Sequence, residues 1–264
     1  MSGEENPAGP ASASPFAGKG FIASAGIVGV IAVAGVVVTA TTLFGGPDSE
    51  SGGAAPSPSS HAVGEEEYPE QEVPRSDGSS STCGLKASEK DEFGEFPSDV
   101  HWKDFAGTMQ VPTSKAHGPG VIENSGFRHC YAQSPEGAVL AGLNYVGMTS
   151  DPAVMGEVMD KMYAKGPGRD TALKRLEEEP AGADEARGRL EGARLLAYAV
   201  ERARVDVALW ASDGTSEGLG SVTVDLRWED GDWKVVTDEE TGEMVIPLVS
   251  IHDTTGYILT GVGK

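Results

Sequence analysis

Two cysteines and five histidines are the residue types in this chain most able to do chemistry, and their spacing decides which chemistry that would be. Cys83 and Cys130 have no companion cysteine or histidine at the short spacings of a zinc site, so the spacing does not predict a metal. In an oxidising compartment they pair across the 46 residues between them. By loop-closure entropy such a bridge stabilises the fold by about 3 to 4 kcal/mol. In a reducing compartment they stay two free thiols. His61, His101, His117, His129 and His252 include no pair four residues apart and no other ligand spacing. Glu65-Glu66-Glu67 lacks the alternating ligands and turn glycine of a calcium loop and reads as a solvated acidic run. A serine-centred nucleophile motif, a phosphate loop and a dinucleotide fingerprint are not expected. No cofactor is therefore predicted, and the absence of motifs favours a binding role over an enzymatic one.

Which compartment the cysteines meet depends on residues 21–44. FIASAGIVGVIAVAGVVVTATTLF is a run of 24 residues without a charge. As a helix it would cover ~36 Å, enough to cross a hydrocarbon core of ~30 Å. Lys19 borders its N-terminal side, whereas the C-terminal side has Asp48 and Glu50 and no Lys or Arg before Arg75. The positive-inside rule then puts residues 1–20 in the cytoplasm, as a disordered tail, and everything after the span outside the cell membrane. The competing reading is a signal peptide cleaved after Val38-Thr39-Ala40, but the apolar run is longer than an ordinary signal core. Within the span, Ala25 with Gly29 and Gly35 with Thr39 are small residues four apart, a spacing that lets two helices pack closely and predicts self-association.

Residues 45–82 carry eight acidic residues against Arg75 alone among many Gly, Pro and Ser, the composition of an extended, self-repelling disordered linker. The whole chain has a net charge of −21, which excludes nucleic acid and an anionic lipid surface as partners held by Lys and Arg.

Beyond the linker lies one domain. Residues 83–133 show poor periodicity and scattered aromatics, Phe93, Phe96, Trp102, Phe105 and Phe127, and read as an irregular lead-in strapped over the core by the disulfide. Ser134-Pro135-Glu136 then supplies a helix N-cap, a proline at the first position and an acid in the first turn. Asp151-Pro152 opens a second helix, and a third runs from Asp170 to Glu179 and stops at Pro180, followed by a polar stretch to Gly192. After that the period becomes two: Val205, Val207 and Leu209 alternate with polar residues, as do Val222, Val224 and Leu226, with hairpin turns at Asp213-Gly214 and Asp230-Gly231-Asp232. An α+β domain over 134–264, with helices on an antiparallel meander that has one wet face, is the expected fold.

Helices followed by a long sheet carrying the DGDWKVV hairpin resemble the cystatin-like roll of the nuclear-transport-factor-2-like superfamily, over Ser134 to Leu259. More of the chain is similar to actinobacterial single-span membrane proteins associated with integrative conjugative elements. That likeness rests on the span, the acidic linker, Cys83-Gly84-Leu85, Val111-Pro112-Thr113-Ser114, Gly118-Pro119-Gly120, Arg128 before Cys130, Ser134-Pro135 with Gly137-Ala138, and Gly166-Pro167-Gly168-Arg169. The layout is that of scaffold proteins in type IV secretion and conjugation channels, which implies binding to other membrane or channel subunits and to further copies of the same chain.

The alternative is a small-ligand-binding or enzymatic roll. Enzymes on this fold place an acid, a base or a tyrosine in the cone between helices and sheet, and the candidates here are Tyr145, Asp160, Tyr163, Tyr198, Asp206, Asp225 and His252. Asp206 and Asp225 alternate with Val and Leu and are expected on the solvated face, where a carboxylate stays hydrated.

Overall fold

The computed structural model describes residues 81–179, 187–212 and 217–262. The span, its small residues Ala25, Gly29, Gly35 and Thr39, the tail and nearly all of the linker lie outside the described residues. No helix among the described residues is long and apolar enough to cross a membrane.

Helix α1 (Pro135–Met148) begins as its sequence dictates: Ser134 is extended, and its Oγ accepts the Gly137 N–H at 2.9 Å. Every residue of α1 is buried, because it runs between the sheet and the lead-in. Its glycines make that possible. A Cβ on Gly142 would stand 3.2 Å from Val205 Cγ1 in the sheet, and one on Gly147 only 2.1 Å from Val111 Cγ1 on the other side. A 3-10 turn (Pro152–Val154), the short α2 (Met155–Glu157) and a π turn (Val158–Met162) follow, then α3 (Pro167–Glu178).

Ten strands are described. The main sheet is antiparallel and six-stranded, built from β5 (Arg187–Ala199), β6 (Arg202–Ser212), β7 (Glu217–Glu229), β8 (Asp232–Val235), β9 (Ile246–Ser250) and β10 (Ile258–Leu259). Its order is β10-β5-β6-β7-β8, with β9 also on β7. The register sets Val205 against Val224 and Val207 against Val222, so the apolar alternation of both strands faces α1. Asp230 and Gly231 both take positive φ, 52° and 73°, as a two-residue hairpin between right-twisted strands needs. The core also contains Leu140, Leu143, Met148, Leu190 and Trp233, all fully buried.

Three expectations change. The lead-in is not irregular throughout: it contains two hairpins, β1 (His101–Phe105) with β2 (Met109–Thr113), and β3 (Val121–Ile122) with β4 (Arg128–His129). Strand β1 leaves most of its side chains in solvent, so no alternation marks it. Secondly, β5 starts at Arg187, inside the stretch read as a polar connection, because Arg189 and Glu191 pair with each other on the strand. Thirdly, the second face of the sheet is not uniformly wet. Strand β9 lies beside β7 and β10 beside β5, so the chain between them crosses that face as a strap.

Candidate functional site

Two buried aspartates of the sheet, Asp232 and Asp206, anchor the polar architecture. Asp232 opens β8 and is 3 % exposed. Its Oδ2 accepts the Cys130 N–H at 2.9 Å, and its Oδ1 accepts those of Tyr131 and Trp233 at 2.8 and 2.9 Å. Around it Trp233 Nε1 donates to Ala132 O at 2.9 Å, and Thr82 N–H donates to Gly231 O at 3.0 Å. Cys83 and Cys130 form a disulfide with Cα atoms 6.2 Å apart. The chain leaving residue 81 is therefore fastened covalently to Cys130, and Cys130 and Tyr131 are in turn held to the β7–β8 hairpin by the Asp232 carboxylate, while Thr82 bonds the hairpin directly. Burial, reinforced by the nearby Asp232 charge, pushes the Tyr131 hydroxyl well above its ordinary pKa.

Asp206, 2 % exposed, is the counterpart under the strap. Its Oδ2 accepts from Arg194 Nε at 2.8 Å and from Tyr257 Oη–H at 2.6 Å, and its Oδ1 accepts from Ser221 and Thr223 at 2.8 and 3.3 Å. The Arg194 guanidinium also lies over the Tyr257 ring, 4.4 Å from its centroid. The expectation that Asp206 sits hydrated on a wet face is thus wrong. Strand alternation assigned the face correctly, but residues fifty positions later cover it. Asp225, expected on the same face, is half-buried there and paired with Arg204 at 2.7 Å.

The other sequence candidates scatter. Tyr145 and Tyr163 do come together, buried between α1 and the end of the π turn, with hydroxyls 3.1 Å apart. Burial raises both above the ordinary tyrosine pKa, and the neighbouring Tyr163 adds to the effect on Tyr145. Tyr198 is half-buried with its ring 6.0 Å from that of Trp233, and burial, then the Glu136 charge, raises its pKa. Asp160 meets Arg169 at 3.6 Å on the surface, and His252 is exposed in the strap. These residues do not converge on one point.

A group the sequence reading passed over lies at the N-terminal end of α1. His117 Nδ1 is 3.2 Å from Ser134 Oγ, and Lys90 Nζ is 2.9 Å from Glu136 Oε1. Burial opposes ionisation of Glu136, but the Lys90 bond, its own backbone N–H and His117 together hold its carboxyl below the usual value. A serine beside a histidine is the geometry of an activated nucleophile. Here, however, Ser134 is fully buried and its oxygen is committed to capping α1. The signal was Ser134-Pro135-Glu136 itself, legible as a cap and silent about His117, 17 residues away. A second oversight is Gly214-Thr215-Ser216-Glu217-Gly218, which has the G-x-S-x-G spacing. That motif works where a strand turns into a helix, whereas this stretch joins antiparallel strands β6 and β7, with Ser212 opposite Glu217. Among the described residues, no group of three or more His, Cys, Asp or Glu could hold a metal ion.

The fold and its two anchored aspartates define a strapped α+β domain whose polar groups fasten its ends to one sheet. The chain belongs to the family described as Domain of unknown function (DUF8175), whose model matches residues 64–259. The matched stretch begins inside the acidic segment read as linker and ends at the last residue of β10. No curated protein and no solved structure matches the chain.

Proposed function

We propose that this chain is a membrane-anchored assembly module: a cytoplasmic tail, one span over residues 21–44, an acidic linker, and an external domain of the cystatin-like roll type that binds other membrane or channel subunits. In this reading the apparatus is an actinobacterial conjugation or secretion channel, and copies of the chain also contact one another. The observation that carries the proposal is the fastening of the linker exit. A tether pulling on residue 81 would meet the Cys83–Cys130 bond and the Asp232 carboxylate before it reached the core. An anchored subunit under load needs that arrangement, and the disulfide suits an oxidising space outside the membrane.

Chemical crosslinking of intact membranes followed by capture of the chain tests the assembly. Crosslinks to membrane or channel subunits, or to a second copy, are expected; recovery of the chain alone would remove the reading. Placement is tested by maleimide labelling, which should reach Cys83 and Cys130 only after reduction. Labelling without a reductant would put the domain in a reducing compartment.

A further inference from the structure

Six arginines of the described residues, Arg169, Arg175, Arg189, Arg194, Arg204 and Arg227, each hold a carboxylate. Arg128, on β4, does not. It is 5 % exposed, and its Nε and Nη1 are buried with no hydrogen-bond partner among the described residues. Its guanidinium Cζ lies 5.8 Å from the centroid of the Phe105 ring and interacts electrostatically with the Tyr131 hydroxyl. Its backbone N–H is spent on Met148 Sδ at 3.2 Å, which fixes β4 against the C-terminal end of α1. Among the described residues Arg128, one of the most buried cations, has no carboxylate counter-ion. Taking a guanidinium out of water is unfavourable unless an anion and hydrogen-bond acceptors replace the lost hydration. A ring face compensates part of that loss and supplies no acceptor for Nε or Nη1. Burial accordingly lowers the Arg128 pKa.

We propose that Arg128 is the receptor for a carboxylate brought by a partner protein, at a site between the tip of the β1–β2 hairpin, where Phe105 lies, and the end of α1; this rests on the assembly reading, which supplies the partner. Guanidinium is the side chain best matched to a planar oxyanion, because its N–H groups form a fork. A singly charged carboxylate balances the single cation. A phosphate dianion would leave one negative charge uncompensated beside a chain already at −21. The same net charge opposes an anionic lipid surface as the source.

The test uses the full chain in neutral detergent micelles, with acetate as the probe. Thermal unfolding is compared in acetate and in chloride at equal ionic strength, for the wild type and for Arg128→Met, which keeps most of the apolar stem. Acetate should raise the wild-type midpoint by a few degrees and leave that of Arg128→Met unchanged. In chloride the variant should be at least as stable as the wild type, since an unpaired buried charge has been removed. An equal response of both proteins to acetate, with Arg128→Met the less stable, would assign Arg128 to internal packing and overturn the proposal. A rise with phosphate and none with acetate would overturn the carboxylate. In crosslinked membranes Arg128→Met should capture partners about ten-fold less than the wild type. Equal capture overturns the role of Arg128 and leaves the assembly reading standing. Capture of no partner by either protein removes the assembly reading, and with it the partner's carboxylate, whatever acetate does.

Discussion

Asp232 and Asp206 are both buried carboxylates on the same sheet, and both fasten a terminal segment, but they do so with different partners. Asp232 takes three backbone N–H groups, which are present whatever the side chains of residues 130, 131 and 233 are. Asp206 takes Arg194, Ser221, Thr223 and Tyr257, four side chains that must all be the right residue. A side chain, Lys234, reaches Asp232 Oδ2 only at 3.5 Å, so the first fastening depends chiefly on the aspartate itself and on chain geometry. The second is a network whose parts can be removed one at a time. The lead-in also carries the covalent bond between Cys83 and Cys130, whereas the strap has none among the described residues. The lead-in is thus built to hold a fixed path, and the strap to hold only while its side chains agree.

The largest expected effect comes from removing the lead-in's covalent part. Replacing both Cys83 and Cys130 by serine reopens a separation of 47 residues. By loop-closure entropy the loss is about 4 kcal/mol, read from urea unfolding of wild type and variant side by side. Asp232→Ala comes next. It strands three buried N–H groups, and a loss of about 3 kcal/mol is expected from the same measurement. If Asp232→Ala lost less than about 1 kcal/mol, comparable to an ordinary surface change, the backbone fastening would not be what holds the lead-in.

The strap should respond differently. Asp206→Ala is expected to destabilise by about 2 kcal/mol, less than Asp232→Ala, because the stranded Arg194 is 41 % exposed and can recover water. Tyr257→Phe should lose about 1 kcal/mol, and the double variant should lose less than the sum, with a coupling of about 1 kcal/mol. Strict additivity would show that Tyr257 and Asp206 act independently, and the contrast between the two fastenings would collapse.

That contrast also explains what the sequence could reveal. Local signals were legible: Ser134-Pro135-Glu136 starts α1, Asp230-Gly231 turns β7 into β8, and the alternations of β6 and β7 place Val205, Val207, Val222 and Val224 on one inner face. The cysteine pair was legible too, because only one pairing exists. Asp206 was not. Alternation tells which face a residue takes, and what covers that face is decided by Tyr257, 51 positions on. Asp232 was hidden for another reason: its three short hydrogen bonds are to backbone groups, which leave no trace in residue types. The hairpin β1–β2 was missed because only Met109, Val111 and Pro112 in β2, and Phe105 in β1, are buried.

The smallest effect concerns the outer edge of the lead-in, and it tests whether charge contributes there at all. Asp99 accepts from Ser114 Oγ at 2.9 Å and from the backbone N–H groups of Lys115 and Ala116 at 2.9 and 3.2 Å. Burial works against its ionisation, but these donors and the neighbouring His117 overcome it and hold the carboxyl below its ordinary value. A depressed carboxyl stabilises the fold fully above the unfolded-state pKa, near 4, and that contribution disappears as pH falls through the lower folded value. Acid should therefore release the Ser114–Ala116 turn, seen as faster hydrogen exchange at the Lys115 and Ala116 amides below about pH 4. Asp99→Asn keeps one acceptor and has no charge to lose, so its exchange should be faster at neutral pH and flatter in acid. The same acid limb in wild type and Asp99→Asn would mean that the turn is held by geometry alone, as the lead-in is at Asp232 and the disulfide.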